Sequence, residues 1–150
     1  MLTSRVLSPA FSDMKEYITN SPETTEAAAK DFASTLKGTE VIALYGGLGM
    51  GKTTFVRGLC SYFGINSGVS SPTFAIVNEY SGSIKIFHFD MYRINSWDDL
   101  YSTGFFDYLG QGLSIIEWSE NIEAALPEDT VRVEFQKGEN DTDRIIKRIS

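Results

Sequence analysis

The sequence predicts a three-layer α/β fold around a mixed, partly antiparallel sheet. Helical and strand-like patterns interleave through the first half of the chain, and strand-like patterns crowd the second half. The chain has 150 residues, 42% hydrophobic and 22% charged, which suits one domain with its own buried core.

Residues 1–13 match no pattern and read as a loose, disordered extension, so the domain runs over 14–150. Lys15–Thr19 reads as a short strand. Ser21-Pro22-Glu23 then opens a helix, with Ser21 as N-cap, Pro22 at the first helical position and Glu23 in the first turn. Ala28, Ala29, Phe32, Ala33 and Leu36 recur at helical spacing, and Gly38 marks the stop. Val41–Tyr45 is a short apolar run, the mark of a buried strand. A glycine-rich turn leads into a helix from Lys52 to about Phe63. Phe55, Val56, Leu59, Cys60 and Phe63 share one of its faces, and Gly64 follows its end. Strands are expected at Thr73–Tyr80, Ile84–Asp90, Leu113–Trp118, Val131–Phe135 and Arg144–Ile149, with Ser81-Gly82 as a hairpin turn. Short helices fit Trp97–Tyr101 and Glu120–Ala125.

Composition excludes several functions. No run of about 18 apolar residues is present to span a membrane. The opening residues lack the apolar core of a secretory signal. A net charge of −7 argues against broad binding to a nucleic-acid backbone, which needs clustered lysine and arginine. The single cysteine, Cys60, forms no internal disulfide, which suits a reducing cytoplasm and a place in the core.

Gly46-Gly47-Leu48-Gly49-Met50-Gly51-Lys52-Thr53 matches G-x-x-x-x-G-K-[ST], the P-loop pattern. Glycines let successive backbone N–H groups wrap phosphate oxygens, and the next helix adds partial positive charge at its start. Lys52 reaches the β- and γ-phosphates, the Thr53 hydroxyl ligates magnesium, and Thr54 continues the cradle. The pattern sits between an apolar strand and an amphipathic helix, which is the context it requires. The expected ligands are ATP and Mg²⁺, and the fold expected is P-loop NTPase-like.

Such a site also needs an acidic residue at a strand end. Asp90 closes Ile84–Asp90, and Glu117 closes the run from Leu113. Ile84, Ile86, His88 and Asp90 share one face by the two-residue period. The only histidine, His88, is read either as a structural side chain beside Asp90 or as part of the site. Trp97, Phe105, Phe106 and Tyr108 fit core filling and a partner-binding surface equally well.

The P-loop Gly46–Thr54 is followed by Ser70-Ser71-Pro72-Thr73-Phe74, His88-Phe89-Asp90-Met91-Tyr92-Arg93, Ile116-Glu117-Trp118 and Leu126-Pro127. In that order and spacing the series resembles the TsaE family, bacterial ATPases of tRNA threonylcarbamoyladenosine biosynthesis. The resemblance implies a small ATPase that drives turnover of the TsaB–TsaD complex during t6A37 modification of tRNAs that read ANN codons. It meets tRNA only indirectly, through that complex. Position by position, it implies that Asp90 and Glu117 are the magnesium and catalytic carboxylates. It puts Ser71, Pro72, Thr73 and Phe74 on a switch-like loop near the γ-phosphate, and Arg93 and Trp118 at motif positions. Two departures stand out: Gly47 replaces a usual Asp, and Met50 a frequent Ala.

Two other readings compete. A stand-alone kinase needs an acceptor-binding insertion, and the sequence offers no obvious one. A non-catalytic nucleotide sensor needs no second strand-end carboxylate, which Glu117 supplies. No guanine-reading N-K-x-D motif and no arginine-rich lid is visible, and Arg93 is the main internal candidate to offset transition-state charge. An incomplete site of this kind predicts slow hydrolysis alone and completion by another protein.

Overall fold

A computed structural model describes residues 2–4, 15–47, 49–72 and 76–150. The strands are β1 (Leu2–Ser4), β2 (Lys15–Thr19), β3 (Val41–Tyr45), β4 (Val77–Ser81), β5 (Lys85–Asp90), β6 (Leu113–Glu117), β7 (Val131–Lys137) and β8 (Arg144–Arg148). The helices are α1 (Pro22–Ala33), α2 (Lys52–Tyr62), α3 (Trp97–Ser102) and α4 (Phe105–Tyr108), with a 3₁₀ segment at Ser119–Ala125. The strands form one sheet in the order β1-β2-β8-β7-β3-β6-β5-β4. β7, β3, β6 and β5 run parallel at its centre, and the flanking pairs are antiparallel. The expected three-layer α/β fold with a mixed sheet is therefore present.

The two-residue period of the strands divides the core. Ile42, Leu44, Ile86, Leu113 and Ile115 face α1 and α2. Val41, Phe87, Phe89 and Ile116 face α3, α4 and the 3₁₀ segment. α1 and α2 approach closely because α2 carries Gly58 at the crossing. A Cβ there would lie 2.6 Å from the Glu26 carbonyl oxygen and 2.7 Å from the Ala29 Cβ.

Local chemistry sets the element ends. Ser21 and Thr24 form a reciprocal capping box at the start of α1. That helix stops at Ala33, short of the expected Gly38. The Ser34 and Thr35 hydroxyls donate to the Asp31 and Phe32 carbonyls, at 2.6 and 2.7 Å, and draw the last turn out of α-geometry. α2 closes as the sequence suggested. Gly64 adopts φ +89°, its N–H reaches the Ser61 carbonyl and the Ile65 N–H reaches that of Cys60. Two further expectations shift. Leu2–Ser4 pairs with β2, where a loose segment was expected, and residues 5–13 lie outside the described ones. β4 begins at Val77, with residues 73–75 also outside. Cys60 is wholly buried, and burial pushes its thiol up to about 12, so it is a core residue.

The turn between α1 and β3 is held by one carboxylate. Glu40 accepts from the backbone N–H groups of Lys37, Gly38 and Thr39 at 2.7, 2.8 and 3.2 Å. Burial alone would raise its pKa, but these bonds outweigh it and hold the carboxyl below the ordinary value.

Two predictions follow from this packing. Gly58→Ala forces α1 and α2 apart and should destabilise the protein by about 1–3 kcal/mol, measured by urea unfolding; an unchanged midpoint contradicts the close crossing. Because the folded pKa of Glu40 is depressed, its stabilisation is full above the unfolded value of about 4.3. It is lost as pH falls through the lower folded value. Glu40→Gln should therefore narrow the stability difference between pH 7 and pH 3, and an unaltered pH profile rejects the assignment.

Candidate functional site

Three parallel strands end at the same edge of the sheet. β3 runs into the glycine-rich loop, and β6 and β5 beside it end in Glu117 and Asp90, which are register partners. Open parallel sheets place ligand sites at this carboxyl edge. Asp90 has the same parity as Ile86, and Glu117 the same as Ile115, so both carboxylates lie on the α2 side of the sheet.

The start of α2 differs from those of α1 and α3. α1 and α3 begin with serine caps and acidic residues in the first turn. α2 begins at Gly51 with φ 92°, no side-chain cap and no acid in its first turn. Among the described residues its start thus carries no side-chain cap and no acid of its own first turn, the arrangement that favours an incoming anion.

Lys52 is only 6% exposed. Its Nζ donates to the Gly46 carbonyl at 2.6 Å and lies 5.1 Å from the centroid of the Trp118 ring. Trp118 has φ 59°, the only positive φ on a non-glycine residue among the described residues. This uncommon backbone turns the chain immediately after Glu117 and sets the ring over Lys52, with Tyr92 packed on it at 4.8 Å. Glu117 is 5% exposed. Its Oε2 accepts from His88 Nε2 at 2.6 Å and from Ser71 Oγ at 3.3 Å. An ionised carboxylate only accepts, so toward it Nε2 is the donor; among the described residues Nδ1 of the wholly buried ring has no hydrogen-bond partner. Asp90 accepts from the Tyr92 N–H at 2.9 Å, which fixes the turn beyond β5.

Gly49, Met50, Gly51, Lys52, Thr53 and Thr54 line one cleft of about 410 Å³ together with Ser71, Asp90, Glu117 and Trp118. That volume lies in the range of small-ligand sites. A second cleft of about 270 Å³ adjoins it across the loop, sharing Gly49, Gly51 and Thr54. Asn20, Ser21, Thr25 and Arg144 form its far wall, and Arg144 donates to the Gly49 carbonyl at 3.1 Å.

The structure therefore brings Lys52, Thr53, Asp90, Glu117, Trp118 and Ser71 together. Gly47 and Pro72 flank this group without lining the cleft, and Arg93 is exposed outside its lining. Leu48, Thr73 and Phe74 lie outside the described residues. Two contributions were not read from the sequence. His88 pairs with Glu117 on the next strand and not with Asp90 on its own, and Arg144 supports the loop from 95 residues away. The His88 alternation was a visible signal, but its partner depends on strand order.

A family model described as threonylcarbamoyl adenosine biosynthesis protein TsaE matches residues 19–146. The chain is similar to proteins named tRNA threonylcarbamoyladenosine biosynthesis protein TsaE in several bacteria. It is 40% identical over 126 residues to that of Rickettsia bellii (strain RML369-C), covering 83% of this chain and 88% of the relative. It is 44% identical over 110 residues to that of Aquifex aeolicus (strain VF5), covering 71% and 78%. The crystal structure of Bacillus subtilis YdiB aligns with a TM-score of 0.73 at 34% identity, over 90% of this chain and 84% of that one.

The His88–Glu117 pair makes a stability prediction. His88→Leu leaves the buried Glu117 carboxylate without its closest donor and should cost about 1–3 kcal/mol. Gln carries an amide N–H close to the place of Nε2, so His88→Gln should recover most of that loss. Adding Glu117→Gln to His88→Leu should also recover part of it. Urea unfolding of the set checks the coupling, and strictly additive losses contradict it.

Proposed function

The chain belongs to the TsaE family, whose members take part in tRNA threonylcarbamoyladenosine biosynthesis, and from that premise we propose that it is an ATP-hydrolysing subunit of the modifying machinery. The observation that carries the proposal is the shared cleft: a glycine-rich loop with Lys52 and Thr53 opposite Asp90 and Glu117 at one sheet edge. In this reading the loop and the uncapped start of α2 take the phosphates. The second cleft, between Asn20–Thr25 and Arg144, takes the nucleoside.

Magnesium fits the donor set. Thr53, Asp90 and Glu117 offer hard oxygen ligands in one cleft. Among the described residues no group of three or more His, Cys, Asp or Glu is placed to hold a metal. The ion would complete its shell with phosphate oxygens and water, its usual habit, and would neutralise phosphate charge there. Lys52 exchanges its Gly46 carbonyl for phosphate oxygens. Glu117, oriented by His88 and Ser71, aligns the attacking water. The water oxygen bonds to the γ-phosphorus, the bond to the β–γ bridging oxygen breaks, and ADP and phosphate leave.

Ser71 donates to Glu117, so γ-phosphate at that carboxylate would be felt at Ser71, the start of the switch-like stretch the family resemblance implies. We assign TsaD and TsaB as the partners that respond, with tRNA meeting the protein only through them, in the cytoplasm. No helix among the described residues is long and apolar enough to cross a membrane.

The test is ATP turnover and calorimetric ATP binding, with and without purified TsaB–TsaD. Lys52→Ala should weaken ATP binding about ten- to hundredfold, the worth of one charge-assisted contact. Asp90→Ala and Glu117→Ala should keep binding and lose about 100-fold in turnover. ATP should bind more tightly than GTP. Wild-type turnover in both carboxylate variants, measured in the assembled complex, would refute the assignment.

A further inference from the structure

The layer of α3, α4 and the 3₁₀ segment has features the nucleotide chemistry leaves unused. Trp97 is 52% exposed and Tyr101 64% exposed. With the exposed Phe106 they form a continuous surface ladder, ring centroids 6.1 and 5.3 Å apart. Leu100 and Phe105 of the same helices are buried, so the core is filled without these rings. Solvent-facing apolar clusters of this kind mark contact sites, and tryptophan and tyrosine dominate binding energy at interfaces.

Charge specifies the partner. Between Arg93 and Arg132 the chain has eight Asp and Glu residues and no Lys or Arg. Asp98 and Asp107, both exposed, adjoin Trp97 and Phe106 in sequence. Beside the ladder lies a cleft of about 160 Å³ lined by Ile94, Trp97, Leu100, Asn121, Ile122 and Ala125. It is smaller than a nucleotide site and accommodates one apolar side chain.

We propose that this face docks a basic, apolar segment of a partner protein. One apolar side chain of that segment fills the cleft, and its arginines or lysines lie over the rings and against Asp98 and Asp107. Guanidinium groups stack on aromatic faces and pair with carboxylates, so one residue type satisfies both features. Nucleic acid is the wrong occupant, because its phosphates meet carboxylates without compensating cations. A second copy of the chain is also wrong, since an isologous contact would oppose the same acidic face to itself.

The face has a route to the nucleotide cleft. Asn121 lines the small cleft, and its amide donates to the Met91 and Tyr92 carbonyls at 3.0 and 3.2 Å. Those residues directly follow Asp90, and Tyr92 packs on Trp118. A docked segment therefore contacts the support of the catalytic edge.

The partner used in the test rests on the proposed function above. Sedimentation titration measures binding of full-length protein to TsaB–TsaD for the wild type, Trp97→Ala/Tyr101→Ala and Asp98→Lys/Asp107→Lys. The altered side chains are surface groups, and thermal midpoints confirm that each variant is folded. Both variants should bind at least about tenfold more weakly, and wild-type binding should weaken as salt rises. Wild-type binding with both variants unaffected overturns the docking face and leaves the proposed function standing. No binding by wild type overturns both. Binding of free tRNA that is lost in the ring variant also overturns the proposal, because the occupant would then be RNA.

Discussion

Everything at the site depends on the parallel pairing of β3, β6 and β5. Because Asp90 and Glu117 are register partners, two carboxylates end at the same height on adjacent strands. β3 releases the glycine-rich loop at that edge and turns it back into α2. A one-residue slip between β5 and β6 would move one carboxylate to the α3 side. The register is fixed by burial on both faces. Ile86, Leu113 and Ile115 fill one core, and Phe87, Phe89 and Ile116 fill the other. A one-residue shift would carry Ile86 and Ile115 into the core that Phe87, Phe89 and Ile116 fill, and the reverse. The hydrophobic pattern thus determines site geometry as directly as it determines the fold.

The edge also solves an electrostatic problem. Glu117 is almost wholly enclosed, and an unpaired carboxylate there would be costly. His88 and Ser71 donate to it, and the Lys52 ammonium lies close to the Trp118 ring that follows it. Lys52 in turn is satisfied by a carbonyl of its own loop. That contact is with a neutral acceptor, so a more negative group can displace it at small cost. A salt bridge to Glu117 would have locked the lysine in place. The arrangement keeps each charge compensated without cancelling the two against each other.

Much of this was legible in the sequence. The loop pattern, β3, the extent of α2 and the two strand-end carboxylates follow from spacing and periodicity. What escaped depended on non-local pairing or side-chain competition. β3 sits between β6 and β7, partners far along the chain, so sequence order could not supply strand order. Alternation places His88 beside Asp90 because it sees only one strand, whereas its hydrogen bond crosses to Glu117 on the next. The end of α1 was set by two hydroxyls rather than by the glycine that looked decisive. α4 is four residues long, too short for any helical period to be recognised.

The two helical layers divide the work according to what their residues can bear. α1 and α2 cross at Gly58 with almost no space between backbones, a tight support for the glycine-rich loop that leads into α2. The opposite layer is built from short helices and a kinked 3₁₀ segment, and it leaves aromatic rings in solvent. Short elements bury little area each, so this layer is the softer of the two. Trp118 belongs to both: its ring covers Lys52, and its backbone begins the 3₁₀ segment. Trp118 is therefore a direct contact between the 3₁₀ layer and Lys52 at the start of α2. The strained φ of Trp118 is the geometric condition for that link, since a relaxed backbone at this position would not set the indole over the ammonium.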